Sequence, residues 1–189
     1  MARAQSTGPR LFVALEPPAP VREELAAWLR VQRPVAAIVR PVAAADIHLT
    51  LAFLGPTDAG AVERVVEAVA SVGSSAVCRG LSTGAPRWLP SSSPRALTID
   101  VHDDRGDLGM LHHDLSEELA AAIGRRDDQP FRPHITVARR NPALPLPARP
   151  LAPTPSLEFE AAAIALYRSA LSPDGAQYGV VERVPMTDD

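Results

Sequence analysis

Two tripeptides in this 189-residue chain carry chemistry, His48-Leu49-Thr50 and His134-Ile135-Thr136. Five histidines and eight threonines would yield about 0.2 such tripeptides by chance, so two copies in matching surroundings point to use rather than accident. Each lies in an alternating stretch, Ile47 to Phe53 and Phe131 to Arg140. A strand's period of two sends Ile47, Leu49, Leu51 and Phe53 to one face and His48 and Thr50 to the other. In the second copy Ile135 and Val137 take the apolar face, while His134, Thr136 and Ala138 share the opposite one. Each copy thus presents an imidazole and a hydroxyl about 7 Å apart along the strand.

Two imidazoles approaching one small substrate from opposite sides suit displacement at phosphorus. There the attacking oxygen loses a proton while the departing oxygen needs one, and the two lie roughly in line. Histidine serves both tasks, because its unperturbed pKa of about 6.5 keeps both protonation states within reach near neutral pH. Each proton transfer contributes about 10²–10⁴-fold. Threonine hydroxyls can donate to the non-bridging oxygens, whose charge needs orientation and stabilisation. Arg139, three residues beyond Thr136, can meet a phosphate as a bidentate donor.

Other chemistries fit less well. Cys78 is remote in pattern, and Ser91-Ser92-Ser93 sits in a segment without a paired base. Asp46 shares parity with His48 and could join His134 at a metal, but the matching place before His134 holds Arg132, which would repel a divalent ion. No metal and no cofactor is therefore expected.

The elements that must position these residues follow from periodicity and punctuation. Leu11 to Leu15 is a continuous apolar run closed by Pro17-Pro18, the mark of a buried strand. Val21, Leu25, Trp28, Leu29 and Gln32 mark a helix that Pro34 stops, with Trp28 in the core, and residues 37–40 form a strand. After the first His-Thr strand, closed by Gly55-Pro56, Val62, Val65, Val66, Val69 and Val72 stripe a helix that Gly73 ends. A strand over 76–81 and a Gly, Pro and Ser-rich loop from Ser82 to Pro94 come next. Residues 96–102 alternate as a strand, and Asp107 caps a helix bearing Leu108, Leu111, Leu115 and Leu119, with His112 and His113 on its solvated side. Gly124 ends that helix, and a charged turn over 125–129 leads to the second His-Thr strand. Six prolines between Asn141 and Pro155 make an extended surface crossover. Two last strands, near 157–167 and 177–184, flank the turn Ser172-Pro173-Asp174-Gly175. Helices that do not separate every strand favour an α+β fold over a doubly wound one.

Composition narrows the function. The chain is long enough, and at 46% hydrophobic content apolar enough, to bury one core. All 19 basic residues are arginines, and 22 acidic residues leave a net charge of −3, so any contact with nucleic acid must be local. Eight aromatic residues are too few for a broad single-strand stacking platform. A single cysteine makes neither a disulfide nor a zinc site, and the first apolar run is too short for a signal peptide or a membrane span. These features place the protein in the cytoplasm, away from membranes.

The two signatures resemble the paired His-x-Thr-x motifs of the 2H phosphoesterase superfamily, and the flanks resemble its bacterial and archaeal RNA 2′,3′-cyclic phosphodiesterases, also called 2′-5′ RNA ligases. The likeness covers Arg10 to Leu15, His48 to Gly55, Phe131 to His134 with Ala138-Arg139, and Tyr167-Arg168-Ser169 through Pro173 to Tyr178. It implies a bilobal α+β domain over residues 10–185, with two pseudo-symmetric antiparallel-sheet lobes, helices on the outer faces and a central cleft. Residues 1–9 are expected to be a disordered N-terminal segment and 186–189 a frayed tail. The implied activity is metal-independent hydrolysis of a terminal 2′,3′-cyclic phosphate to a 2′-phosphomonoester. By position in the motifs, His48 is the proton donor to the departing 3′ oxygen and His134 the base, with Thr50, Thr136 and Arg139 on the phosphate. The expected partners are RNA ends carrying a 2′,3′-cyclic phosphate or small cyclic nucleotides, met by a monomer. A non-catalytic RNA-end or nucleotide binding protein and a reversible 2′-5′ RNA ligase are the alternatives. The family often has an aromatic in the strand before the third helix; here Asp100 or His102 stands in its place.

Overall fold

A computed structural model of the chain describes residues 8–124, 130–146, 151–172 and 175–186. Strand β1 (Arg10–Glu16) explains its own continuous apolar run, because both of its faces are buried. Leu11, Val13 and Leu15 join the main core. Phe12 and Ala14 pack on the opposite face with Ala165 and Tyr167. Covered on both sides, β1 pairs antiparallel with β3 (Leu49–Pro56) and β8 (Ala163–Ser172). Helix α1 (Ala19–Val31) follows the Pro17-Pro18 closure, starts with a proline in its first turn and buries Val21, Leu25, Trp28 and Leu29.

Nine strands build one antiparallel sheet among the described residues. From one edge it runs β7 (Glu158–Phe159), β4 (Leu81–Leu89), β5 (Ala96–Asp103), β6 (His134–Arg140), β3, β1, β8 and β9 (Gly175–Pro185), with β2 (Val39–Pro41) added to β6. Read outward from its middle, the sheet is two lobes of four, β3-β1-β8-β9 and β6-β5-β4-β7. In each lobe the second strand from the middle feeds a helix: β1 feeds α1, and β5 feeds the helix Asp107–Ile123. The lobes join through one residue pair, Leu49 opposite Ile135, both fully buried. Beyond it β6 passes to β2 and β3 keeps only β1.

Between the short helix α2 (Arg33–Ala36) and that last helix lies α3 (Ala59–Ser75), which makes Asp107–Ile123 α4. Helices α3 and α4 pack on each other, α3 covers β8 and β9, α4 touches β3 and β5, and α1 reaches β6. Their buried stripes and the sheet's covered face form one apolar cluster that includes residues of both lobes.

Several sequence expectations change for local reasons. The expected strand over 76–81 is irregular until Leu81, and the expected loop Ser82 to Pro94 contains β4 instead. Gly84 and Pro86 look like loop punctuation, yet both serve the strand. A Cβ on Gly84 would stand 2.6 Å from His102 Nε2. Pro86 falls where the ladder to β5 slips, from Thr83↔Val101 to Pro86↔Ile99, a bulge that spares the missing N–H. Gly73 does not end α3, which continues to Ser75. It faces β8 and β9 so closely that a Cβ would come within 2.6 Å of Ile164 Cγ2 and 2.9 Å of Val184 Cβ. Gly73→Ala is therefore expected to lower stability by about 1–3 kcal/mol through overpacking, read from the urea midpoint at unchanged m-value.

Trp28 is a core residue, and its indole N–H donates to the Pro153 carbonyl. With Gln32 accepting from the Ala152 N–H and Thr83 donating to the Pro155 carbonyl, the described end of the proline-rich crossover lies on α1 and β4 rather than over the cleft. His112 is not a free helix-face residue, since its ring stacks on Phe131 at 4.0 Å. His113 is exposed. Met1 to Thr7, the charged turn 125–129, Pro173-Asp174 and the tail from Thr187 lie outside the described residues.

Candidate active site

The antiparallel register around Leu49↔Ile135 sets His48 opposite Thr136 and His134 opposite Thr50, with a local twofold axis through the central pair. The two imidazoles stand in a diagonal cross-strand relation, for which sheet geometry gives roughly 7–8 Å. His48, Thr50, His134, Thr136 and Arg139, the five residues singled out in the sequence, all line one cavity of about 660 Å³.

Both rings are held alike. His48 Nδ1 lies 2.6 Å from the Asp46 carbonyl, and His134 Nδ1 lies 2.7 Å from the Arg132 carbonyl. A carbonyl only accepts, so each Nδ1 carries a proton and each Nε2 is left for the cavity. Asp46 and Arg132, whose side chains the sequence had weighed at a metal site, thus serve the imidazoles through their backbones.

Each His-Thr strand also bulges immediately after its threonine. The β1–β3 ladder steps from Val13↔Ala52 to Ala14↔Thr50, leaving Leu51 as the extra residue. The β5–β6 ladder steps from Leu97↔Ala138 to Thr98↔Thr136, leaving Val137 as the extra residue. An extra residue shifts the parity of everything beyond it. Phe53, read as an apolar-face residue, is instead 68% exposed and lines the cavity. Ala138, read as sharing the histidine's face, is buried, and Arg139 turns to the cavity in its place. The twofold relation makes Phe53 and Arg139 counterparts, each three residues beyond its threonine. One end of the cleft therefore carries a phenyl ring where the other carries a guanidinium.

The histidines differ in surroundings. His48 is packed between Phe12 at 5.1 Å, Tyr178 at 5.4 Å and Tyr167 at 5.8 Å between ring centroids. Burial among these rings lowers its pKa below the ordinary 6.5, and the charge of Arg139 adds to that, against the Asp46 carbonyl, which favours the cation. Behind it the Tyr167 hydroxyl donates to Glu16 Oε1 at 2.6 Å, and Arg183 Nε reaches Glu16 Oε2 at 3.0 Å. Burial and the Glu16 carboxylate push the Tyr167 pKa up, so the phenol stays protonated. Cys78, buried and near Asp103 and Asp107, is pushed up to about 12, which leaves no thiolate to act as nucleophile.

Arg10, Arg95 and Arg139 line the cavity, and no carboxylate does so among the described residues. A chain of net charge −3 has gathered a local cationic cleft, as anion binding requires. The sequence reading missed Arg10, Arg95, Phe12, Phe53 and Tyr178 as cleft residues. They come from β1, β3, β9 and the β4–β5 turn, and only pairing registers reveal their faces.

The sequence profile of the 2′-5′ RNA ligase superfamily matches residues 17–172 of this chain. The RNA 2′,3′-cyclic phosphodiesterase of Escherichia coli K12 is 28% identical over 179 residues, covering 94% of this chain and 97% of that protein. The protein of the same name from Thermus thermophilus is 32% identical over 186 residues, covering 92% and 88%. Among solved structures, E. coli LigT complexed with 3′-AMP superposes with a TM-score of 0.77 at 27% identity, over 95% of this chain and 99% of that one.

Proposed function

The chain belongs to the 2′-5′ RNA ligase superfamily, and from that membership we propose that it hydrolyses a 2′,3′-cyclic phosphate, on an RNA end or a nucleoside, to a 2′-phosphomonoester. The observation that carries the reading is the pair of imidazoles, each with Nε2 left free by a backbone carbonyl, lining one arginine-rich cavity. In the proposed reaction His134 Nε2 takes a proton from water as its oxygen bonds to phosphorus. The P–O3′ bond breaks, and His48 Nε2 gives its proton to the departing 3′ oxygen. The Thr50 and Thr136 hydroxyls and Arg139 hold the non-bridging oxygens, where charge concentrates as the new bond forms. No step needs a metal or cofactor. The assignment of donor and base follows the family resemblance, since the backbone bonds of the two rings are alike.

The desolvated His48 gives the histidine pair a pH signature. A donor acts only when protonated, and a lowered pKa removes the proton earlier as pH rises. One limb of the kcat/KM profile, which reports the free protein, is thus expected to bend at a pH below 6.5. The kcat limb lies higher, because the bound phosphate anion favours the imidazolium. His48→Gln should remove that limb, and its survival in the variant would show that His48 does not titrate in the reaction.

Incubation with a panel of nucleoside and oligonucleotide cyclic phosphates, followed by phosphorus NMR, tests the reading as a whole. Conversion to the 2′-monoester alone, at a rate that EDTA leaves unchanged, is the expected result. Loss of turnover on chelation with recovery on added zinc or manganese would replace it with a metal enzyme. Tight binding without product would leave a binding protein. The proposal takes the protein as a cytoplasmic monomer, checked by sedimentation at the mass of one chain. No helix among the described residues is long and apolar enough to cross a membrane.

A further inference from the structure

A second groove, about 800 Å³ in volume, opens off the cleft and shares Val42, Arg139, Ala176 and Tyr178 with it. Its wall includes Arg40 on β2, which pairs directly across from Arg139 in the β2–β6 ladder. Cross-strand partners point to the same face, and like charges placed so destabilise a sheet. Both arginines are exposed, and neither side chain has a hydrogen-bond or ion-pair partner among the described residues. Among the described residues Asp46 is the one carboxylate on the groove, and Arg140 is occupied with the Pro94 and Leu144 carbonyls. Two free guanidiniums facing each other make a seat that an anion would complete.

The asymmetry of the cleft says which anion. At the Phe53 end an exposed phenyl ring offers a base a stacking face; at the Arg139 end the cavity leads into the groove. A nucleotide whose cyclic phosphate lies between the histidines, with its base toward Phe53, directs its 5′ side to Arg40. Resting on the phosphodiesterase reading, we propose that Arg40, opposite Arg139, binds the first internal phosphodiester upstream of the cyclic phosphate, so that the preferred substrate is an oligonucleotide end rather than a mononucleotide.

The test compares uridine 2′,3′-cyclic phosphate with a 5′-hydroxyl dinucleotide ending in the same group, so that one internal phosphodiester is the added charge. The wild-type protein should favour the dinucleotide by roughly tenfold in kcat/KM, as one charge-assisted contact supplies. The salt dependence for the dinucleotide should be steeper by about 0.7 in log–log slope. Arg40→Ala should erase both differences while leaving the mononucleotide rate within about twofold, and Arg40→Lys should keep part of them. A neutral methylphosphonate linkage should mimic Arg40→Ala on the wild-type protein. Equal rates and slopes for both substrates, or an Arg40→Ala loss shared equally between them, overturns the upstream site while the hydrolase reading stands. Failure of the wild-type protein to open either cyclic phosphate overturns both.

Discussion

His48→Ala and His134→Ala each lower kcat/KM for cyclic phosphate hydrolysis by about 10²–10⁴-fold, the range that one positioned proton transfer contributes. The double variant is expected to lose far less than the product of the two, because an attack without its base and a departure without its acid fail at the same transition state. The two replacements differ in structural cost. His48 fills a box of three aromatic rings, so alanine there leaves a gap, and His48→Gln, closer in size, separates chemistry from packing. Steady-state kinetics on variants with unchanged circular dichroism decide the matter. Either single variant turning over at the wild-type rate would remove the paired mechanism. A His134 loss with no His48 loss would leave a one-base hydrolase whose leaving group needs no proton.

Much of this was legible in the sequence because it is local. Alternation of apolar and other residues sets the faces of His48 and Thr50, and of His134 and Thr136, with no knowledge of a partner strand. The repeat of that pattern exposes two halves. What stayed hidden depends on pairing. The bulges at Leu51 and Val137 are properties of two ladders at once, so Phe53 and Arg139 could not be assigned their faces by counting residues. Arg139 was singled out for its chemistry and its distance from Thr136, while its turn into the cleft required the bulge. The rings around His48 arrive from β1, β8 and β9, more than a hundred residues apart at the extremes, and strand patterns do not announce such neighbours. Gly73 and Gly84 were read as punctuation because close packing and turns ask for the same residue. Gly124, whose φ of +65° does reflect a local turn at the end of α4, was the case in which that reading suffices.

Leu49→Ala tests whether the join between the lobes sets the catalytic geometry. Leu49 and Ile135 are fully buried and form the one pair that binds β3 to β6, with a histidine and a threonine on either side of each. Truncating a leucine in such a place costs about 2–5 kcal/mol, and Ile135→Ala belongs in the same range. Stability alone does not distinguish the site, however. Leu81, also fully buried, lies on β4 between β5 and β7, far along the sheet from the join, and Leu81→Ala carries a similar cost. The difference should appear in turnover measured where each variant remains folded. A shift of about 1 Å between reacting groups can cost 10²-fold, and the Leu49–Ile135 pair is what fixes one imidazole against the other. Leu49→Ala and Ile135→Ala are therefore expected to lower kcat by about tenfold or more, with Leu81→Ala near the wild-type value. Equal kcat for all three, at equal fractions folded, would mean that the helices beneath the sheet hold the lobes together and that the central pair only fills space.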